Sequence, residues 1–482
     1  MDVTVADAGN REIIETDVLI VGAGPAGLSA AIRLKQVAPL LSVTVVEKSA
    51  ELGGHIISGA VMNPVGLDAL LPGWRAMGAP VGPAVTRDTF HLLMIPPQMK
   101  TEGAVIVSLG ELVRWLGEQA QGLGVDIFPM TAAVDVLTGE GGRVEGIITG
   151  DLGVDHAGNP RSTYAAGIGL RAKYTLIGEG ARGSLARHLI GHFGLAEGHD
   201  PQLYGLGIKE VWEIAPDRHE AGRVDHYLGF PLDNGTSGGG FAYHAAGNKL
   251  YLGLAVHLSY SDPTLSPFDE FQRFKAHPAI SRLLEGGRRL SYGARAMTSG
   301  GLQSIPDLAF PGGALIGCAA GFMNVPALKA IHNAIRSGMA TAERVAAAIG
   351  EGRAHDMLEG LNDSVLATGI GDELAPVRNV KPFWSRFGTY FGVLLGGFDM
   401  WCEALFRFSP FGTLRHGKAD YQKLRPIADV TPRVYARPDG VTTYDRAASV
   451  YLANLRHDED QPVHLKLADP ELPLRQNLPR YG

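Results

Sequence analysis

The chain has 482 residues, of which 45% are hydrophobic and 19% charged, a composition typical of a globular protein with two or three domains. A net charge of −7 argues against nucleic acid as a partner. Two cysteines, Cys318 and Cys402, are too few for a disulfide framework or a four-thiolate cluster, and they favour a reducing compartment. The acidic N-terminus resembles neither a secretory signal nor a transit peptide, and no stretch has the ~18–20 uninterrupted apolar residues of a spanning helix.

The first predicted element is a strand that ends in a glycine-rich turn and continues into a helix. Apolar residues at 18–21 precede the turn, and helical spacing follows it from Pro25 and Ala26 onward, two residues that we include in the predicted cofactor site. In this context Gly22 permits a tight turn, Gly24 lets the backbone approach a pyrophosphate, and Gly27 lets the helix pack on the strand. The helix N-terminus offers free N–H groups to phosphates. We therefore predict a dinucleotide site here, in preference to an ordinary βαβ unit.

A second predicted strand, at 41–46, completes this signature. It ends in Glu47, about 20 residues beyond the turn, where a ribose hydroxyl needs an acceptor. We include the adjacent Lys48 in the predicted cofactor site. Closely spaced glycines follow, among them Gly54 and Gly59, and they indicate backbone held near a ligand such as a flavin ring or ribityl chain. A plain turn is the alternative, and His55 between them is either a site residue or a packed histidine.

The next segments supply further predicted strands and loops. Residues 92–99 are apolar with a proline pair, so they form neither a helix interior nor a central strand but a loop, packed inside or facing a membrane. Residues 106–116 predict a strand end and a helix capped by Ser108, with Glu111 at the third position. Strand-like runs at 125–128 and 144–149 are expected to flank a three-stranded meander. A strand from 174 leads into a second glycine turn, which contains Gly180 and should close around the adenosine side.

Residues 203–297 change character, because aromatic and β-branched residues alternate along several runs. We predict an antiparallel sheet that forms the substrate wall. The chain then returns to the nucleotide domain with a strand and a small-residue turn at 312–322. The helical run at 330–339 that follows can point its N-terminus at a flavin's pyrimidine side and stabilise the anionic reduced ring.

The segment 390–408 is apolar and aromatic but is interrupted by glycine and acidic residues. It is too interrupted to span a bilayer. One interpretation is an interfacial segment, with Trp401 and Tyr390 near lipid headgroups and Arg386 and Arg407 at its flanks. The other is an ordinary buried helix, and the sequence does not decide between them. The tail from Leu424 is proline-rich and polar, without signs of an independent core.

Several long phrases, spread from end to end, resemble the electron-transfer-flavoprotein:ubiquinone oxidoreductase family. They lie at 22–31, 109–116, 207–213, 266–275, 291–296, 300–304, 377–380, 439–441 and 460–465. The resemblance implies an FAD enzyme at a membrane surface that takes electrons from reduced electron-transfer flavoprotein and delivers them to ubiquinone. It assigns Gly317, Cys318, Ala319, Gly321 and Val325 to FAD.

The resemblance also assigns the quinone contact to a glycine pair, Gly238 and Gly239, in the predicted sheet. A backbone donor suits a quinone carbonyl, and the missing side chains let the ring approach. A β-bulge or turn without a ligand is the alternative.

Three departures from the family pattern stand out. Family members hold a four-iron four-sulfur cluster with C-terminal cysteines, which are absent from this chain, where Cys318 and Cys402 lie elsewhere. The chain is therefore a truncated form, or uses a cluster on a separate ferredoxin, or works without one. Cys318 also replaces the acid of the usual Gly-Asp-Ala-Ala-Gly turn, a change that bears on FAD affinity and flavin potential. The apolar loop around Met94 is shorter than its family counterpart.

The predicted fold class is α/β, with a Rossmann-like FAD-binding domain, an inserted antiparallel-sheet quinone domain and an α+β C-terminal region. We assign 1–85, 106–202 and 299–369 to the FAD domain, 86–105 to the apolar loop, 203–298 to the quinone domain and 370–482 to the C-terminal region. The resemblance implies a peripheral inner-membrane protein, on the cytoplasmic face in a bacterium or the matrix face as a mature mitochondrial form. The alternatives are a prenyl-lipid (geranylgeranyl) reductase and a non-catalytic flavoprotein docking module.

Overall fold

The computed structural model describes residues 11–56, 59–91 and 103–453, together with 455, 458–462, 469, 471 and 475. The elements before the second domain are β1 (Ile13–Val21), α1 (Pro25–Val37), β2 (Val43–Val46), β3 (Ala60–Met62), α2 (Val65–Leu70), β4 (Val81–Ala84), β5 (Arg87–His91), β6 (Val105–Val107), α3 (Leu109–Gly122), β7 (Asp126–Phe128), β8 (Ala133–Thr138), β9 (Val144–Thr149), β10 (Leu152–Val154), β11 (Pro160–Ala165), β12 (Gly169–Ile177) and α4 (Ser184–His192). Those that follow are β13 (Tyr204–Glu213), β14 (Arg223–Tyr227), β15 (Gly238–His244), β16 (Lys249–His257), α5 (Pro267–Ala276), α6 (Pro278–Leu284), β17 (Arg288–Thr298), β18 (Ala309–Phe310), β19 (Gly313–Leu315), α7 (Ile331–Gly350), α8 (Leu361–Val365), α9 (Gly371–Leu374), α10 (Val380–Phe406) and α11 (Arg446–Tyr451).

The first sheet is the Rossmann-like core that the N-terminal sequence predicts. Its strand order is β18-β19-β12-β1-β2-β7, and β1 pairs in parallel with both β2 and β12. The last four residues of β1 are fully or almost fully buried, as an apolar run in a parallel sheet covered on both faces should be. Helices α1 and α7 cross closely beside it, since a Cβ on Gly338 of α7 would lie 2.3 Å from the Ala26 carbonyl oxygen.

An antiparallel hairpin is attached to this sheet. Strand β8 pairs with β9, and β9 pairs in turn with β12. The run at 144–149, expected to flank a meander, is thus the middle strand of an antiparallel set. The run at 125–128 is instead a parallel edge strand, β7, next to β2.

The second sheet has the order β17-β13-β16-β15-β14-β5 and is antiparallel except between β14 and β5. The predicted sheet from 203 onward is therefore confirmed, but its boundary is incomplete, because residues 87–91 form its edge strand β5. The sequence-based assignment of 87–91 to the apolar loop at 86–105 is wrong, because these residues pair with β14. The loop's apolar part, 92–102, lies outside the described residues. Helices α5 and α6 cover one face of the sheet and bury Phe271 and Phe274.

The C-terminal region lies against both domains. Helix α10 is interrupted at Gly388, where φ is 75°, and its second part folds back on its first, since a Cβ on Gly392 would lie 2.5 Å from the Trp384 Cα. Within the described residues, no helix combines the length and the apolar character needed to cross a bilayer. The tail from 424 packs along the second domain: Arg433 forms ion pairs with Asp233, Asp262 and Glu270.

Candidate functional site: three glycine turns and the facing sheet

The turn between β1 and α1 requires glycine at two of its three motif positions. Gly22 has φ of 102°, and a Cβ there would lie 2.5 Å from the Gly178 carbonyl oxygen. A Cβ on Gly27 would lie 2.0 Å from the Gly22 carbonyl oxygen. Both contacts are far below van der Waals distance, so these glycines are needed to bring backbone against backbone.

Gly24 is different, because neither its backbone conformation nor the packing around it requires a residue without a side chain. It is the N-cap of α1 with φ −80° and ψ −177°, which any residue adopts, and nothing lies within 4 Å of a Cβ built on it. No side chain caps α1, whose first residue is Pro25. Open space above an uncapped helix N-terminus fits the diphosphate of a dinucleotide, since the exposed N–H groups and the helix dipole favour an anion.

Glu47 lies at this turn, as predicted for a ribose-binding acid. Its Oε2 accepts a hydrogen bond from the Ala23 N–H at 3.0 Å, and its Oε1 accepts one from the Ser49 N–H at 2.9 Å. Each carboxylate oxygen has further acceptor capacity, so the side chain can stabilise the turn and still accept from a ribose hydroxyl. Lys48 beside it is exposed.

The second glycine turn follows β12 and meets the first, because the Gly178 N–H donates to the Val21 carbonyl at 2.8 Å. Gly180 has φ of 85° and open space around it. Glu179 turns back to the start of α4 and accepts from the Ala186 N–H at 2.8 Å. Burial raises the pKa of this carboxyl, whereas these backbone donors and nearby Lys48 oppose the shift.

The third turn, at residues 317–321, packs directly on α1. A Cβ on Gly317 would lie 2.6 Å from the Ala26 Cβ, and the Gly317 N–H donates to Ser337 Oγ at 3.0 Å. Gly321 has φ of 97° and faces Gln202. The fold thus brings three sequence-distant glycine turns to one helix N-terminus. Ala319 in the turn is half-buried, and Val325 just beyond it is buried.

Cys318 lies in this third turn. Burial raises the pKa of its thiol to about 11, so the side chain is neutral at physiological pH. A neutral thiol therefore stands where the family pattern places a carboxylate.

The segment around Gly59 joins the two domains. Gly59 is buried with φ of 93°, and a Cβ there would lie 2.3 Å from the ring of Tyr251 on β16. Lys209 of β13 donates to the Gly59 carbonyl at 2.5 Å, and the Arg295 guanidinium of β17 donates to the His55 carbonyl. Gly54, by contrast, is exposed. Sequence reasoning missed Lys209 and Arg295, because charged residues in alternating strands usually face solvent.

Gly238 and Gly239 begin β15 and are paired with Val256 and Ala255 of β16. Gly238 has φ of 152°, and a Cβ on it would lie 2.2 Å from the Ala255 carbonyl oxygen. A Cβ on Gly239 would lie 2.7 Å from the Tyr227 carbonyl oxygen. Tight backbone packing alone explains these glycines, so their role as quinone contacts stays a prediction.

Within the described residues, no group of three or more His, Cys, Asp or Glu side chains is arranged to hold a metal ion. Cys318 and Cys402 are both free thiols.

This architecture is a fold that flavin-dependent enzymes share. The fold is shared with a geranylgeranyl bacteriochlorophyll reductase-like protein from Thermoplasma acidophilum, with a TM-score of 0.61 and 16% identity over 80% of this chain and 92% of that one. The flavin-dependent brominase Bmp2 gives a TM-score of 0.58 with 14% identity over 81% and 90% of the two chains.

Sequence relatives are much closer. The electron transfer flavoprotein-ubiquinone oxidoreductase of Pseudomonas aeruginosa is 47% identical over 98% of this chain and 88% of its own length. The mitochondrial enzyme of Bos taurus is 45% identical over 97% and 79%. This chain belongs to the electron transfer flavoprotein-ubiquinone oxidoreductase family.

Three family models match parts of the chain. The ubiquinone-binding model of that family matches residues 204–297, which form the second sheet. Its 4Fe-4S model matches residues 440–482, a segment without cysteine, and a Thi4 family model matches residues 5–65.

Proposed function

We propose that this chain is an electron-transferring-flavoprotein dehydrogenase that takes electrons from reduced electron-transfer flavoprotein and passes them to ubiquinone. The observation that carries the proposal is the convergence of three glycine turns beside the sheet that the ubiquinone-binding model matches. When bound, FAD accepts electrons and releases them again to a quinone. The chain's own residues orient that cofactor and set the charge around it.

Four of the predicted cofactor residues, Gly24, Glu47, Cys318 and Gly321, have stated roles in this proposal. The N-terminus of α1 holds the diphosphate above Gly24, and Glu47 accepts from the ribose. The third turn, with Cys318 and Gly321, and the N-terminus of α7 face the flavin end of the cofactor. The neutral Cys318 thiol adds no negative charge there, which favours an anionic reduced flavin compared with a carboxylate at that position.

The quinone, in this proposal, binds beside the second sheet at Gly238 and Gly239. Because a Cβ at either position would clash with backbone, substitution there moves the strand as well as any ligand contact. Substitution of these two glycines would therefore not distinguish a lost quinone contact from a displaced strand. The assay below instead leaves the chain unchanged and tests electron transfer to a quinone.

We further propose that the protein works as a peripheral membrane protein through α10. After the break at Gly388, the exposed side chains Phe391, Leu394, Phe398, Trp401 and Leu405 are spaced alternately three and four residues apart, so they form one face of the second part of α10. The opposite face buries Asp399 and Glu403, which are paired with Asn379 and Arg378. This is the reverse of a water-exposed helix, and it supports an interfacial position with the aromatic side chains among lipid headgroups.

The experiment that tests this function follows electrons into the flavin and out to a quinone. Purified, FAD-loaded protein is mixed anaerobically with reduced electron-transfer flavoprotein and then with a soluble ubiquinone analogue, while flavin absorbance is followed. We expect flavin reduction and then reoxidation by the quinone. If quinone reoxidises chemically reduced FAD but electron-transfer flavoprotein does not reduce it, a separate ferredoxin is the candidate electron donor. A reduced flavin that no quinone analogue reoxidises contradicts the proposed function.

A further inference from the structure

Lys381, in the first turn of α10, places a buried ammonium beside the start of β15. The whole residue is only 2% exposed. Its Nζ donates to Ser259 Oγ at 3.2 Å and to Ser237 Oγ at 3.3 Å. In the described part of the chain its hydrogen-bond partners are thus two hydroxyls rather than a carboxylate, an unusual environment for a buried charge.

The position of Lys381 is as informative as its burial. Ser237 immediately precedes Gly238 in the chain, so one of the two hydroxyls adjoins the predicted quinone contact. Lys381 also lines a small cavity together with Met323 and Val325, which follow the third glycine turn. The ammonium therefore lies between the predicted flavin end of the cofactor site and the predicted quinone site.

Four titratable groups act electrostatically on this ammonium, and Arg378 lines the same cavity. His257 of β16 is 2% exposed, and burial together with the charge of Lys381 holds its pKa well below the usual range. His416 is buried, and its pKa is lowered mainly for the same reason. Both imidazoles are therefore neutral near pH 7.

The other two groups are Asp420 and Lys423. Asp420 accepts from the Tyr204 N–H at 2.6 Å, while its second oxygen has no hydrogen-bond partner among the described residues. The negative charge of Asp420 favours the charged form of Lys381, whereas the positive charge of half-buried Lys423 disfavours that form. Burial dominates, and it lowers the pKa of Lys381 to about 7. A group with this value gains and loses a proton readily at physiological pH.

We propose that Lys381 supplies a proton to the bound quinone through the Ser237 hydroxyl. Reduction of a quinone to a quinol takes two electrons and two protons, one at each of the two oxygens on opposite sides of the ring. The electrons come from the reduced cofactor. At the oxygen beside Gly238, the Ser237 O–H passes its hydrogen to the quinone and takes one from the Lys381 ammonium, while the other oxygen takes its proton from water. The neutral amine is then reprotonated from water on the side of Asp420 and Lys423. The inference rests on the proposed function, and it names Lys381 as a residue that acts through Ser237.

The two serines provide a matched pair of variants. Ser237→Ala removes the hydroxyl next to Gly238, whereas Ser259→Ala removes only the second hydrogen-bond partner of the same ammonium. Together with Lys381→Met and Lys381→Arg, these variants are loaded with FAD and chemically reduced. Reoxidation is followed in a stopped-flow instrument from pH 6 to 9, with a ubiquinone analogue or with ferricyanide, which takes electrons without protons.

For the wild-type protein, we expect the quinone rate to fall as pH rises above about 7, while the ferricyanide rate stays constant. Lys381→Met should lower the quinone rate about 100-fold and abolish its pH dependence, because general-acid catalysis contributes about 10²–10⁴-fold. Lys381→Arg keeps the positive charge, but a guanidinium does not release its proton, so the quinone rate of this variant should be as low as that of Lys381→Met. Ser237→Ala should be slow as well, whereas Ser259→Ala should stay fast at pH 6 and keep a fall with pH, moved to lower pH because the ammonium loses one hydrogen-bond partner.

Several results would overturn this role for Lys381. Equal losses with quinone and ferricyanide in Lys381→Met would indicate a structural effect, and full activity in Lys381→Arg would indicate that only the charge matters. An unchanged pH profile in Lys381→Met would exclude the lysine as the proton source. A wild-type protein that reduces ferricyanide but no quinone would overturn the proposed function, and this role with it.

Discussion

At the scale of single residues, the glycines of the first turn serve two different purposes. Gly22 and Gly27 are required by the polypeptide, because any Cβ there meets a carbonyl oxygen at 2.5 and 2.0 Å respectively. Gly24 is surrounded by open space and has an ordinary backbone conformation. The packing of the protein does not explain the absence of a side chain at Gly24, so substitution there tests the predicted cofactor contact separately from folding.

We expect Gly24→Ala to fold with the stability of the wild-type apoprotein but to bind FAD at least about tenfold more weakly, since its methyl group enters the space for the diphosphate. Gly27→Ala should lower the free energy of unfolding by about 1–3 kcal/mol, because the methyl group overpacks the strand–helix contact. FAD titration and urea unfolding of the apoproteins measure the two quantities. Gly191→Ala, with open space on α4, serves as the control. A destabilised Gly24→Ala would show that this glycine, too, is structural.

At the scale of elements, α10 is the helix whose sequence left two interpretations open. Its structure excludes the ordinary buried helix, because Phe391 and Leu394 are each 68% exposed while Asp399 on the opposite face is 1% exposed. Asp399 accepts hydrogen bonds from Asn379 at 3.0 Å and Ser409 at 2.5 Å, which offsets its burial. The polar groups anchor the helix to the protein, so its apolar face is left for another environment.

We expect Phe391→Asp combined with Leu394→Asp to reduce binding to anionic lipid vesicles at least about tenfold, since burying an apolar side chain contributes about 1.5–3 kcal/mol. Thermal unfolding should change little, because both side chains are already exposed. Cosedimentation with vesicles measures the binding. Leu40→Asp is the matched control, as Leu40 is 98% exposed in the loop after α1. Vesicle binding that survives the double substitution would place the membrane contact elsewhere.

At the scale of the whole molecule, burial lowers the pKa of several of the described lysines, and most strongly that of Lys209, Lys275 and Lys381. Burial lowers the pKa of Lys209 to about 8, that of Lys275 to about 8, and that of Lys381 to about 7. Lys275 contacts Glu210 at 3.0 Å, and Glu210 also binds Arg289, which donates to Ser449 of α11. The same network therefore fastens the C-terminal tail to the second sheet.

These shifts predict that stability increases with pH from 7 to 9. In that range the unfolded chain keeps its lysines protonated, near their ordinary value of about 10.4, whereas the folded chain has begun to release these protons. The unfolded state binds more protons, so the free energy of unfolding rises with pH. Above about pH 10 the trend should reverse, because burial raises the pKa of Tyr243 and Tyr227 and keeps them protonated in the folded chain.

Urea unfolding of the apoprotein at pH 7, 8 and 9 measures this slope. Lys381→Met should reduce the slope, while Lys249→Met, which changes an exposed lysine of β16, should leave it unchanged. A stability that is flat or falls between pH 7 and 9 would show that the buried lysines keep their protons.

Much of this molecule could be predicted from the residues alone. The parallel strand, the glycine turn and the helix after it are local features, because apolar runs, glycines and helical spacing act over a few residues. The end of β2 before Glu47 is local for the same reason, and Glu47 lies at the turn. Its contact with a ribose stays a prediction. The alternating runs after 203 predicted the second sheet, since period-two patterns are specific for half-buried strands.

Other features depended on contacts between distant parts of the chain. Strand β5 joins the second sheet only because β14, more than a hundred residues later, pairs with it. Lys209 and Lys381 are ordinary charged residues in the sequence, and only packing between domains places one on the Gly59 carbonyl and the other on Ser237. The amino-acid sequence thus determined the local elements, the cofactor turn and the family, whereas the tertiary structure decided which face of α10 is exposed and which charges are buried. The physical reason is that backbone propensity and hydrophobic period are local, while desolvation depends on what packs against a side chain.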